Sequence, residues 1–513
     1  MRLAWFSPLP PVHSGIAAYA LDALDGLRAA HEVDAYVTDE VWRAAGGRLH
    51  AGDGEGLRAR IGPDGLPLYR AIDFPTRHGQ TPYDLIVYQL GNAACHAYMW
   101  PYLLRWPGLV VLHDGALHHA RAQALLSDGR DDDYRAEFRY DHPGVDPRVA
   151  DYVVAGLEGS PYYLWHMLRV VMERARAVAV HNERLCEVLQ EEFPATPITQ
   201  IAMGVRESVT HASCFMLHAS GSGLQAPGSG LRASGSRLQA SGSTLQATDV
   251  TRTSQASADA PAMKHEASSM IFAAFGLVTP EKRIPQILEA LAAVRQQVPG
   301  VRLRLVGENA EHYALWQDVA RAGVADVVDV TGYVDDSHLD AEIAAADVCL
   351  CLRWPTAHET SAMWLRCLAA GRATVITDQL TTVDVPTLDP RHWLLQHTRD
   401  DAGSVFQPPP TSRAVAVSID LADEAHMLRQ AMLRLATDGG LRQRMGVEAR
   451  AWWQARHTIE RMHRDYARVL AWAGDLPDPG WPPDAPAHLH PDPSSFARGL
   501  IAPLGVRVDI LDA

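Results

Sequence analysis

Short apolar runs along the chain are separated by longer stretches whose apolar positions recur every three or four residues. In the first half, Leu3–Phe6, His31–Val37, Asp84–Leu90, Leu109–His113 and Ala177–Val180 read as strands. Gly15–Ala30 has helical spacing, and Pro147–Arg176 is mostly helical. The second half restarts the same alternation. Ile271–Phe275, Val301–Val306, Val327–Val330, Val348–Leu352 and Thr374–Thr377 are predicted strands, interleaved with helices over Pro285–Gln297, Trp316–Ala322, Leu339–Ala345 and Glu359–Ala370. Glu424–Trp472 is helical, with Trp452 and Trp453 as packing anchors. Strands alternating with helices predict an α/β fold with parallel sheets. Two such units facing each other would share a cleft, because open parallel sheets bind ligands beyond the carboxyl ends of their strands.

Residues 212–268 break this pattern. Leu217, Leu224, Leu231, Leu238 and Leu245 recur every seven residues. A coiled coil needs two apolar seams, and each glycine costs a helix about 1 kcal/mol. These units carry glycines and serines around a lone leucine, so the segment reads as a disordered low-complexity insertion. The expected division is 1–211, the 212–268 insertion, 269–475, and a proline-rich tail over 476–513.

Of 513 residues, 47% are hydrophobic and 21% charged, which suits a globular protein of two or three domains. A net charge of −15 argues against a nucleic-acid partner. Six cysteines in a chain this long make no disulfide framework; Cys349 and Cys351 would share one strand face as buried thiols. Met1–Pro8 lacks the long apolar segment of a signal peptide, and no run approaches the roughly 18 apolar residues of a membrane span. The expected location is cytoplasmic, with peripheral attachment to the inner membrane face also compatible.

Four segments carry candidate chemistry. In Ser7–Tyr19, Gly15 opens a helix soon after the first strand, where a missing Cβ admits a ligand and helix amides are free; a tight turn explains it equally well. No G-x-G-x-x-G follows that strand, which disfavours a dinucleotide oxidoreductase. In Val110–His119, His113 ends a strand facing the cleft, and Asp114 could fix its tautomer or its loop. The histidines there lack zinc-site spacing, and His118 and His119 suit packing or loop roles. In Phe275–Ile284, Gly276 precedes Lys282 and Arg283 at a helix entrance, where cations oppose the helix dipole unless a phosphate lies between. In Arg353–Gly371, Glu359 could accept from sugar hydroxyls, and the amides of Thr360, Ser361 and Ala362 could hold a diphosphate; a plain capped helix is the simpler alternative.

In order and spacing these segments resemble the family 4 glycosyltransferases, retaining enzymes with the GT-B fold of two Rossmann-like domains. The similar stretches are Pro11–Tyr19, Val110–Asp114, Phe275–Arg283, and His358–Ser361 before Leu368–Gly371. The resemblance implies transfer of a sugar from a nucleotide-diphosphate sugar without cofactor or catalytic metal. The acceptor would be a glycan, a lipid-linked sugar or a small metabolite. It places the chemistry on His113, Lys282 and Glu359, and donor binding on Gly15, Gly276, Arg283, Thr360, Ser361, Ala362 and Arg366. Residues 1–211 would then be the acceptor side and 269–475 the donor side. Leu277 stands where many members have arginine, with Arg283 the candidate replacement, and Arg366 stands where many have the ribose-binding glutamate. A D-x-D at Asp131–Asp133 is expected in a polar loop, unlike the metal-dependent transferases of the other fold. A degenerate binding or scaffold protein, and a GT-B enzyme of another reaction type (nucleotide-sugar epimerase or phosphorylase), are the alternatives. If the repeat contributes no packing, deleting residues 215–265 leaves the melting temperature and activity largely unchanged, as a thermal melt and a turnover assay would show.

Overall fold

The computed structural model describes residues 1–12, 14–45, 59–62, 65–207, 269–396, 398–399, 405–406 and 414–490. The 212–268 repeat and the tail beyond residue 490 lie outside the described residues. The first sheet contains β1 (Arg2–Phe6), β2 (Glu32–Val37), β3 (Arg60–Ile61), β4 (Pro67–Arg70), β5 (Leu85–Leu90), β6 (Leu109–Leu112), β7 (Ala177–Val180) and β8 (Ile198–Gln200). The second contains β9 (Met270–Phe275), β10 (Val301–Val306), β11 (Val328–Val330), β12 (Val348–Cys351), β13 (Ala373–Thr377), β14 (Thr387–Leu388) and, beyond a small ribbon of β15 (Thr398–Arg399) and β16 (Val405–Phe406), β17 (Ala416–Ile419).

Strand order is β3-β4-β2-β1-β5-β6-β7-β8 in the first sheet and β11-β10-β9-β12-β13-β17-β14 in the second. Within these two sheets every strand pairing is parallel except β3 with β4. Each sheet therefore winds outward from an inner strand, β1 or β9, and reverses direction beside it. At such a reversal the loops leaving adjacent strands part and open a crevice at the carboxyl ends. Helices cover both faces, which is why β5, β6 and β7 are buried at every position and apolar except at Gln89.

The structure corrects two sequence expectations. Asp131–Asp133 form the first turn of a helix, Asp131–Asp141, where acidic side chains complement the dipole. The helix expected from Glu359 starts at Ala362, because the Ser361 hydroxyl caps it by accepting from the Trp364 amide at 3.2 Å. The Pro147–Arg176 region is mostly helical as expected, in three short helices.

The C-terminal helices tie the halves together. Gly439–Arg456 packs on the second sheet's Ala362–Ala369 helix, whereas Ile459–Asp475 crosses back onto Gly15–Leu27 of the first. There Tyr19 donates to the Tyr466 hydroxyl at 2.9 Å, and Asp465 accepts from the Ala202 amide at 3.0 Å. The start of the proline-rich tail also packs on the first half: the Arg174 guanidinium lies 4.7 Å from the Trp481 ring centre and donates to Pro479 and Gly480. Gly446 lets the Gly439–Arg456 helix sit directly on the backbone, since a Cβ there would come 2.1 Å from the Gly371 carbonyl oxygen. Gly446→Ala is expected to destabilise by about 1–3 kcal/mol through overpacking, read as a lowered melting temperature.

Candidate active site

The loops leaving β1, β5, β6, β9 and β12 converge on one cavity of about 540 Å³ between the halves. Gly15, His113, Lys282, Glu359, Thr360, Ser361 and Ala362 all line it. Ser14 caps the Gly15–Leu27 helix, its hydroxyl accepting from the Ile16 amide at 3.2 Å. A Cβ built on Gly15 would meet no protein atom within 4 Å. Packing therefore does not demand this glycine, and the space it leaves belongs to the cleft.

Gly276 is demanded. Its φ is +80°, and a Cβ there would lie 2.5 Å from Lys282 Nζ. The ammonium fills that gap and donates to the Phe275 carbonyl. Burial, reinforced by the Arg353 guanidinium, lowers Lys282 to about 8. Glu359 Oε2 accepts from Thr356 Oγ1 at 2.8 Å and from the Ala357 amide at 2.9 Å. Oε1 is in ion contact with Arg353 but makes no hydrogen bond. The Ala362 and Met363 amides, first in their helix, have no acceptor within it. A cation, a carboxylate paired with Arg353 and a helix N-terminus thus line one space. That set can hold a phosphate ester beside a hydroxylated ring.

His113 lines the cavity, but its ring is spoken for. Nε2 lies 2.8 Å from the Gln89 side-chain amide and Nδ1 lies 3.1 Å from His181 Nε2. His181 Nδ1 faces the Ile201 carbonyl at 3.0 Å, and the Gln89 amide also meets the Tyr466 hydroxyl at 3.2 Å. Burial pulls both histidines down. With both rings neutral, one direction satisfies every atom: Tyr19 to Tyr466 to Gln89 to His113 to His181 to Ile201, with the Gln89 NH₂ on the His113 side. This relay leaves His113 no free nitrogen for a substrate, which corrects its expected direct role.

Two further expectations are corrected. Arg283, with φ +59°, turns away from the cavity and pairs with Glu424. Arg366 pairs with Asp336 at 2.6 Å and Asp340 at 3.0 Å and does not line the cavity. The second cation at the site is Arg353, which sequence reading passed over; its place directly after β12 was the available signal. Asp114 does not orient His113. Its Oδ2 accepts from the Asn92 amide at 2.6 Å, and burial, with a smaller push from Glu359, raises it to about 7.

Two lobes of parallel α/β sheet with this cleft define the GT-B class. The chain superposes on a sucrose-phosphate synthase from Thermosynechococcus elongatus (TM-score 0.54, 13% identity, 92% of this chain and 98% of that one). It also superposes on HepE from Anabaena in complex with UDP (TM-score 0.52, 13% identity, 92% and 99%) and on a glycosyltransferase from Rickettsia africae (TM-score 0.51, 10% identity, 92% and 98%). No curated protein matches in sequence. Residues 269–401 match the family model described as "Glycosyl transferases group 1". That segment is similar to the group 1 glycosyltransferases, and the superpositions over 92% of the chain show the GT-B fold. Among the described residues no helix is long and apolar enough to cross a membrane. Because the space beside Gly15 is open, Gly15→Ala should fold with an unchanged melting temperature yet weaken ligand binding at least tenfold, measured by calorimetry.

Proposed function

We propose that this enzyme moves a sugar from a nucleotide-diphosphate sugar to an acceptor hydroxyl with retention of anomeric configuration and without a metal in the transfer step. The observation that carries the reading is the convergence of Lys282, Glu359 and the Ala362–Met363 amides on the cavity bordered by Gly15. Lys282 and the helix N-terminus would take up negative charge as the diphosphate departs, when that charge is greatest. Glu359 would accept from a hydroxyl of the transferred ring. HepE, solved with UDP-glucose, supports a uridine nucleotide as the first donor to try.

Asp114 supports a second reading. A carboxyl near 7 in the cleft suits a general base, which an inverting transfer would need and a retaining one would not. The anomeric configuration of the product, read by NMR, decides between them. Glycosyl transfer is tested by supplying UDP-sugars with candidate glycan, lipid-linked and small acceptors; nucleotide binding without any turnover would favour a scaffold.

Lys282→Ala is expected to lower kcat about 10²–10³-fold, the usual cost of losing one preorganised charge-stabilising donor. The pH profile follows from the lowered lysine. The ammonium that meets the diphosphate is present below about 8 and lost above it, so kcat/KM should fall on a basic limb near that value. Lys282→Arg, which stays charged, should remove the limb.

A further inference from the structure

We propose that Asp141, His142 and His166 form a site for one divalent transition-metal ion of the zinc class, outside the cleft. Asp141 ends the Asp131–Asp141 helix, His142 follows it, and His166 lies in the loop before the Arg169–Arg174 helix. One ligand atom from each falls within 4.8 Å of the other two. Asp141 Oδ2 is 2.8 Å from His142 Nε2 and 3.1 Å from His166 Nδ1. The Asp141 side chain is 2% exposed, yet neither Oδ2 nor His142 Nε2 has a hydrogen-bond partner.

The proton inventory sharpens this. His166 Nε2 lies 2.8 Å from Glu192 Oε1, and its Nδ1 accepts from the Leu168 amide at 3.2 Å. His166 Nδ1 and Asp141 Oδ2, 3.1 Å apart, need one cation between them, either a proton or a metal ion. Two imidazoles and a carboxylate form a zinc-type donor set, with a water completing the shell. The Glu192 carboxylate behind His166 matches the outer partner that orients metal-bound histidines. The long Leu168 contact would yield to the ion.

The site would brace the cleft from behind. The His166 carbonyl accepts from the Leu117 amide at 2.7 Å, and the Trp165 carbonyl meets His118 Nδ1 at 2.8 Å. Both contacts hold the loop that presents Asp114.

The test uses untagged full-length protein, stripped with a chelator and titrated with Co²⁺, followed by the visible d–d bands and by Zn²⁺ competition. The expected result is one tight equivalent per chain and a higher melting temperature on loading. Glu192→Gln should weaken binding about 10–100-fold. His142→Gln should abolish it, and His312→Gln, in the second lobe, should not change it. No d–d bands in the stripped wild type, or an undiminished equivalent in folded His142→Gln, would overturn the proposal and assign the role to a second proton on His166. Should His142→Gln fail to fold, the wild-type titration decides alone.

Discussion

An ammonium group taken out of bulk water must find acceptors, and among the described residues Lys282 has one backbone carbonyl and no carboxylate. The Arg353 guanidinium adds a like charge that makes matters worse. The arrangement is costly for the empty protein and favourable for one carrying an anion. Much of the local geometry serves it: the left-handed Gly276 that clears room for Nζ, the turn over Pro280–Lys282, and the Arg353 contact with Glu359 that keeps the second cation close. In a chain with a net charge of −15, this pair of cations at the centre of the cleft is a local reversal of sign. Such a reversal draws phosphate to one place on an otherwise repellent surface.

Strand positions were legible because a strand buried on both faces leaves a run of apolar residues that little else produces. Ala177–Val180 matches the sequence reading to the residue, and Val301–Val306 does so by alternation, with Arg302 and Arg304 on its half-buried face. β3, β8 and β14 were missed because two or three residues carry too little pattern, and β4 because a proline and an arginine bound its two apolar residues. The start of the Ala362–Ala369 helix was misread for a different reason. Glu359 looks like a first-turn acid, but the Ser361 hydroxyl competes for the capping position and wins.

For the site, the glycines and Lys282 could be read because chain order alone puts them beyond strand ends. Partnerships could not. Arg283 and Arg366 bear the right charge at plausible positions, yet Glu424, Asp336 and Asp340 consume them, and those partners are distant in sequence or on a neighbouring helix. His113 looked reactive because it ends a strand. Only the assembled core shows Gln89 and His181 occupying both of its nitrogens. A residue's chemistry follows from what it is paired with, which a linear pattern does not state.

The last helix rides on the first lobe while the one before it rides on the second. The polypeptide therefore returns from the second lobe to the first at His457–Thr458, where Val205 and Thr458 form a parallel bridge. Tyr466, Val469 and Leu470 then enter the same apolar core as Leu3, Trp5 and Tyr19. The lobe that begins the chain is thus finished by residues made after the other lobe, so its core cannot close until synthesis is nearly over.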